Sequence, residues 1–128
     1  MQWVLIAGDK DFSLKSFVDM DFDGAVSIVP AEDMISVRYP DGYAVFEPVD
    51  KKGMMNEFEP EDLRVVEALP FTPENWVMLT YSDIGILRSI VSDESFPKNV
   101  FIDCDGVPLG FEDVFPRERL IFTEKPKR

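Results

Sequence analysis

The chain has 128 residues and a net charge of −12, because 25 acidic residues face only 13 basic ones. This length fits a single domain over residues 1–128, and a hydrophobic content of 45% argues against a disordered chain. So acidic a surface repels nucleic acid and anionic membranes, and it attracts cations or basic proteins.

The sequence contains one cysteine and no histidine. These counts exclude an intramolecular disulfide, a cysteine-only zinc site, a Ser-His-Asp triad and histidine ligands to a metal. The apolar run near the N-terminus is too short for a signal peptide, and no apolar stretch is long enough to span a bilayer. We therefore expect a cytoplasmic protein without a cofactor.

The first predicted elements are two short strands with a helix between them. Residues 3–7 form a continuous apolar run, typical of a buried strand, and residues 25–29 form a second strand. Ser13 suits the N-cap of a short helix that carries Leu14 and Phe17 on one side.

A hairpin is the clearest local prediction. Residues 34–39 and 43–49 are predicted strands on either side of Pro40-Asp41-Gly42, and Asp-Gly favours a type I′ turn. Pairing across that turn places Val37 opposite Phe46, so that one face of the hairpin is apolar.

The second half of the chain alternates helices and strands in the same way. The predicted elements are a helix at residues 60–69, a strand at 75–81, a helix capped by Ser82 and ending at Val91, a hairpin of strands 99–104 and 107–111, and a last strand at 119–123. Trp3 and Trp76 both fall in predicted strands, so we expect both in the core.

Together the predicted elements indicate an α+β fold: a mostly antiparallel sheet of about five to seven strands, with two or three helices packed on one face.

Residues 19–24 read Asp-Met-Asp-Phe-Asp-Gly, which matches the first half of an EF-hand calcium loop. The second half does not match. Pro30 stands where the loop needs a glutamate, and a predicted strand follows where the motif needs a helix. An exposed acidic turn explains the pattern, and a divalent-cation site at Asp19, Asp21 and Asp23 is the alternative.

No motif identifies a reaction. Cys104 has no histidine to activate it and lies on the predicted inward face with Ile102, as a small core residue would. Residues 103–106 (Asp-Cys-Asp-Gly) resemble the nucleophile motif of haloacid-dehalogenase phosphatases, but Val107 replaces the threonine of that family, and too few residues follow. We therefore expect a protein that is not an enzyme; an enzyme using carboxylates alone is the alternative.

The acidic tract carries two aromatic residues among its carboxylates, Phe22 and Phe58. Negative charge would steer a basic protein toward this tract, and an aromatic anchor would hold the complex. A solvated acidic face is the competing interpretation. The predicted partner-binding residues are Asp19, Asp21, Phe22, Asp23, Glu57, Phe58, Glu59, Glu61 and Asp62.

Three stretches occur in an order that resembles small bacterial immunity proteins: residues 56–63 (NEFEPEDL), 76–83 (WVMLTYSD) and 96–106 (FPKNVFIDCDG). These proteins neutralise the toxin domains of polymorphic-toxin and contact-dependent inhibition systems. The resemblance implies a cytoplasmic, non-enzymatic inhibitor that binds one cognate toxin, often a nuclease, and a basic toxin would suit the acidic surface. It transfers no binding residues and leaves the oligomeric state open.

Overall fold

The computed structural model describes residues 2–50, 52–53, 60, 64, 67, 72–97, 100–103 and 121–122. Its elements in chain order are strand β1 (Gln2–Gly8), a 3-10 helix (Leu14–Phe17), strands β2 (Ser27–Pro30), β3 (Ile35–Tyr39), β4 (Gly42–Val49) and β5 (Asn75–Tyr81), helix α1 (Ile84–Ser92), and strands β6 (Phe101–Asp103) and β7 (Ile121–Phe122).

The seven strands form one sheet in the order β2-β3-β4-β5-β1-β6-β7. Five of the six strand pairings are antiparallel, and the sixth, between β6 and β7, is parallel. The expected α+β class with a mostly antiparallel sheet is confirmed.

The expected two or three helices are not matched, since one α-helix has both of its ends within the described residues. At the predicted first helix, Ser13 and Ser16 cap one 3-10 turn. The predicted helix at residues 60–69 lies mostly outside the described residues, although the three positions described there are helical. Helix α1 begins after Asp83, not Ser82, because the Asp83 carboxylate accepts a hydrogen bond from the Gly85 N–H at 2.9 Å.

One face of the sheet carries the hydrophobic core. Alternate strand residues point to this face, and α1 and the 3-10 helix cover it. Phe17 of the 3-10 helix is fully buried, and its ring centroid lies 4.5 Å from that of Phe46 in β4. The core side chains of these elements include Val4, Ile6, Ile35, Val37, Phe46, Leu79, Leu87, Ile90 and Val91.

The opposite face of the sheet is buried only in part. Trp76 and Phe101 are buried there and meet edge to face, with ring centroids 6.0 Å apart. Trp3 and Tyr43 lie near the other end of the strands and are 41% and 42% exposed. The expectation of a core position is therefore correct for Trp76 and wrong for Trp3.

The β3–β4 hairpin has a different register from the one predicted. Tyr39 pairs with Gly42 across a Pro40-Asp41 loop, and Val37 lies opposite Ala44. Gly42 does not have a positive φ, so it does not take the type I′ position. The pairing shifts by two residues. Because side chains alternate with a period of two, each residue still points to its predicted face.

Two further expectations concern the C-terminal part of the chain. Strand β7 lies within the predicted last strand, whereas Cys104 and the predicted strand at 107–111 lie outside the described residues. In the part of the chain that is described, no helix is long and apolar enough to cross a membrane.

Candidate functional site

The loop between the 3-10 helix and β2 alternates buried and exposed side chains. Met20 and Phe22 enter the core, whereas Asp19, Asp21 and Asp23 are exposed. Burial of the two apolar side chains fixes the loop against the sheet and turns the three carboxylates toward solvent.

Phe22 holds the tight turn of this loop. Its φ of 47° lies in the left-handed region, and the Ala25 N–H donates to its carbonyl at 2.9 Å. Such a φ costs a non-glycine residue on the order of 1 kcal/mol, which burial of a phenylalanine ring more than offsets. Since the side chain is only 2% exposed and packs near Phe46, Phe22 is a core residue and not the exposed anchor that the sequence predicted.

A shallow cleft of about 650 Å³ joins this loop to the C-terminal end of α1. Asp21 and Asp23 line it from the loop, and Asp93 and Glu94 line it from the residues after the helix. Among the described residues that line the cleft, none is basic. The lining is completed by Ser89, Ser92 and Ser95.

Asp93 has a defined position in this cleft. Its N–H donates to the Ile90 carbonyl at 3.2 Å, and its Oδ1 accepts hydrogen bonds from the Ser95 N–H at 2.8 Å and the Ser95 hydroxyl at 2.6 Å. Asp93 and Glu94 also stand at the C-terminal end of α1, where the helix dipole favours positive charge. The fold therefore keeps two acids at a position that is electrostatically unfavourable for them.

Tyr39 of β3 does not line the cleft, but carboxylates from both sides of the cleft affect its hydroxyl. Its hydroxyl is buried and has no hydrogen-bond partner among the described residues. Burial, and then the negative charges of Asp93 and Asp23, raise the pKa of Tyr39 to about 12. Two carboxylates that are far apart in sequence thus act on one hydroxyl.

The other predicted binding residues are distributed differently. Asp19 is exposed but does not line the cleft, and the second group of predicted residues (Glu57, Phe58, Glu59, Glu61 and Asp62) lies outside the described residues. Asp93 and Glu94 line the cleft but were not among the predicted binding residues. Their sequence position could have indicated them. Both acids lie shortly after the predicted end of a helix at Val91, where basic residues are more usual.

The aspartate triplet is not arranged as a calcium loop. Strand β2 follows Gly24, where an EF-hand continues into a helix. Within the described residues, no group of three or more acidic or cysteine side chains is placed to hold a metal ion.

Comparisons of the chain with protein-family models, with curated proteins and with solved structures gave no match.

Proposed function

We propose that the protein is a non-enzymatic, cytoplasmic inhibitor of the bacterial immunity type, which neutralises a basic toxin domain through its acidic cleft. The observation that carries the proposal is the convergence of Asp21, Asp23, Asp93 and Glu94, from two distant chain segments, on one cleft. Hydrophobic anchoring and helix capping hold these carboxylates in place, so the negative surface exists before a partner arrives.

A positively charged partner would relieve an electrostatic cost that the free protein carries. Like charges that share a cleft repel one another, and an acid at a helix C-terminus interacts unfavourably with the helix dipole, by about 0.3–1 kcal/mol. Lysine or arginine side chains in the cleft would reverse the sign of both contributions. The three serines of the lining would supply additional hydrogen-bonding groups for these side chains.

The same arrangement explains how inhibition of a nuclease would work. A nuclease holds its substrate through lysine and arginine contacts to phosphates. A cleft that pairs with those side chains competes with nucleic acid for them. Because the attraction acts over about 10 Å at 0.1 M salt, it also accelerates the encounter of inhibitor and toxin.

The proposal is tested by co-expression with the C-terminal domain of the protein encoded immediately upstream. We expect that domain to stop growth and the wild-type chain to restore it. The double variant Asp21→Lys/Asp23→Lys should lose protection. The matched control is Asp9→Lys/Asp11→Lys, which changes an exposed acidic pair that follows β1 and does not line the cleft. It raises the net charge equally, from −12 to −8.

Two results would contradict the proposal. One is an upstream domain that is harmless, or whose toxicity the wild-type chain does not relieve. The other is an equal loss of protection in both double variants, which would assign the effect to net charge and not to the cleft. Thermal unfolding of each variant ensures that the comparison is made between folded proteins.

A further inference from the structure

Strand β2 exposes apolar side chains at the edge of the sheet. Among the described strands it is the outermost, next to β3, and all four of its residues are exposed. Val29 is 58% exposed and Ile28 38%, and the adjacent Val26 and Met34 are 66% and 38% exposed. These four account for most of the large exposed hydrophobic side chains in the described part of the chain, so the apolar surface is concentrated at this edge.

The backbone of β2 is positioned to pair with a further strand. The Ala31 N–H donates to the Met34 carbonyl at 2.7 Å and closes the turn to β3. Hydrogen-bonded positions alternate along an antiparallel pair, so Val29 faces β3, whereas Ile28 directs its N–H and C=O outward. Pro30 also faces outward but has no N–H to offer. Ile28 is therefore the central pairing position of this edge.

The start of β2 limits how long such a pairing can be. The Val26 N–H donates to the Arg38 carbonyl at 2.7 Å, although Ser27 is the residue in register with Arg38. Two residues of one strand thus oppose one of the other, which is the arrangement of a β-bulge. A bulge at one end and a proline at the other confine strand addition to a short segment centred on Ile28.

Acidic residues flank the edge on both sides. Asp21 and Asp23 precede β2, and Glu32 and Asp33 form the turn that follows it; all four are exposed. A second copy of this chain would place acid against acid whether the two β2 strands ran parallel or antiparallel. Arg38 is the one basic residue in register with β2, and it lies on the opposite face of the sheet from Ile28.

We propose that the β2 edge takes up an extended segment of the protein partner as an additional strand. The segment carries apolar side chains at its centre and lysine or arginine at both ends. This inference rests on the proposed function for the basic character of the partner, and it adds a second contact beside the acidic cleft. Main-chain hydrogen bonds to Ile28 give the strand its register, and the flanking charges select against acidic segments.

The test uses two synthetic peptides as probes, Lys-Lys-Val-Thr-Val-Thr-Lys-Lys and the same peptide with glutamate in place of every lysine. Binding is followed by anisotropy of the labelled peptide and by the amide NMR signals of the isotope-labelled protein. We expect the lysine peptide to bind and to shift the Ile28 amide signal, and the glutamate peptide to leave both readouts unchanged.

Two substitutions at Ile28 distinguish the contribution of its backbone N–H to peptide binding from that of its side chain. Ile28→Pro removes the outward N–H without removing a hydrogen bond to β3, whereas Ile28→Thr keeps that N–H. We expect Ile28→Pro to bind the lysine peptide about tenfold more weakly than Ile28→Thr, as loss of one hydrogen bond would produce. Equal affinity of the two variants, or equal affinity of wild type for the two peptides, would overturn the inference.

A third measurement decides between a partner and a second copy. A concentration-dependent dimer in sedimentation, abolished by Ile28→Pro and kept by Ile28→Thr, would overturn the proposed occupant. The inference and the proposed function fail separately, because Ile28→Pro alters the β2 edge and changes no residue that lines the cleft. One combination of results would support the proposed function and contradict strand addition at β2. Protection would be lost in Asp21→Lys/Asp23→Lys but retained in Ile28→Pro, and the two peptides would bind with equal affinity.

Discussion

At the scale of single residues, Phe22 orients the acidic loop by entering the core from its middle. The carboxylates on either side of it point outward because the chain alternates at this position. The sequence shows the alternation, as three acids separated by Met20 and Phe22. It does not show that the apolar side chains are the buried ones, because an aromatic residue between acids is also compatible with an exposed anchor.

Truncation of Phe22 distinguishes these two roles. If the ring is part of the core, Phe22→Ala lowers the free energy of unfolding by about 3–5 kcal/mol, through lost burial and the cavity left beside Phe46. Urea denaturation of the two proteins measures this difference. A loss below about 1 kcal/mol would instead be typical of a surface side chain.

Tyr39 shows how burial, together with the carboxylates of Asp93 and Asp23, raises the pKa of a hydroxyl. The pKa of its hydroxyl is about 12 in the folded protein and 10.0 in the unfolded chain, so folding favours the neutral phenol. The resulting stabilisation is complete below pH 10 and is lost as the pH rises toward 12.

Replacing Tyr39 with phenylalanine should remove that alkaline loss. Below pH 10, we expect Tyr39→Phe to be at least as stable as wild type, because the deleted hydroxyl has no hydrogen-bond partner among the described residues. Near pH 12 the variant should be the more stable of the two. The free energies of unfolding at both pH values test this, and a parallel decline of the two proteins would contradict it.

At the scale of elements, the contact between the β3–β4 hairpin and α1 determines the local geometry. The Ser82 hydroxyl accepts a hydrogen bond from the Tyr43 N–H at 2.9 Å, and Gly42 packs directly against Ser82 and Ile86. Gly42 is therefore required for close approach, and not for the positive φ that an Asp-Gly turn suggests. Pro40 also fixes a negative φ in the loop. Local turn preferences predicted the hairpin and its faces, but its register depended on this contact with α1.

Gly42 in the β3–β4 hairpin and Gly24 in the loop before β2 provide a matched comparison. A Cβ at Gly42 would lie 2.7 Å from Ile86 Cδ1 and closer still to the Ser82 hydroxyl, whereas a Cβ at Gly24 meets nothing within 4 Å. We expect Gly42→Ala to cost about 2–3 kcal/mol through overpacking. Gly24→Ala should cost only about 1 kcal/mol, through its φ of 84°. Chemical denaturation measures both, and equal losses would contradict the role assigned to Gly42.

At the scale of the whole molecule, the packing of α1 across the sheet brings two acidic segments that are distant in sequence to one cleft. The sequence was sufficient to predict the α+β class, all three central strands and the exposure of the aspartate triplet. It could not predict that the end of α1 meets the loop before β2, because that proximity depends on how the helix packs across the sheet. It also could not identify β2 as the edge strand, since strand order depends on long-range pairing.

The most direct test of the account is the affinity of the chain for a labelled octalysine peptide at low and high ionic strength. At low salt, Asp21→Lys/Asp23→Lys should bind at least about tenfold more weakly than Asp9→Lys/Asp11→Lys, although both carry the same net charge. The difference should diminish at high salt, where exposed charges are screened. Equal weakening of the two variants at low salt would contradict the claim that the cleft, and not overall charge, recruits a basic partner.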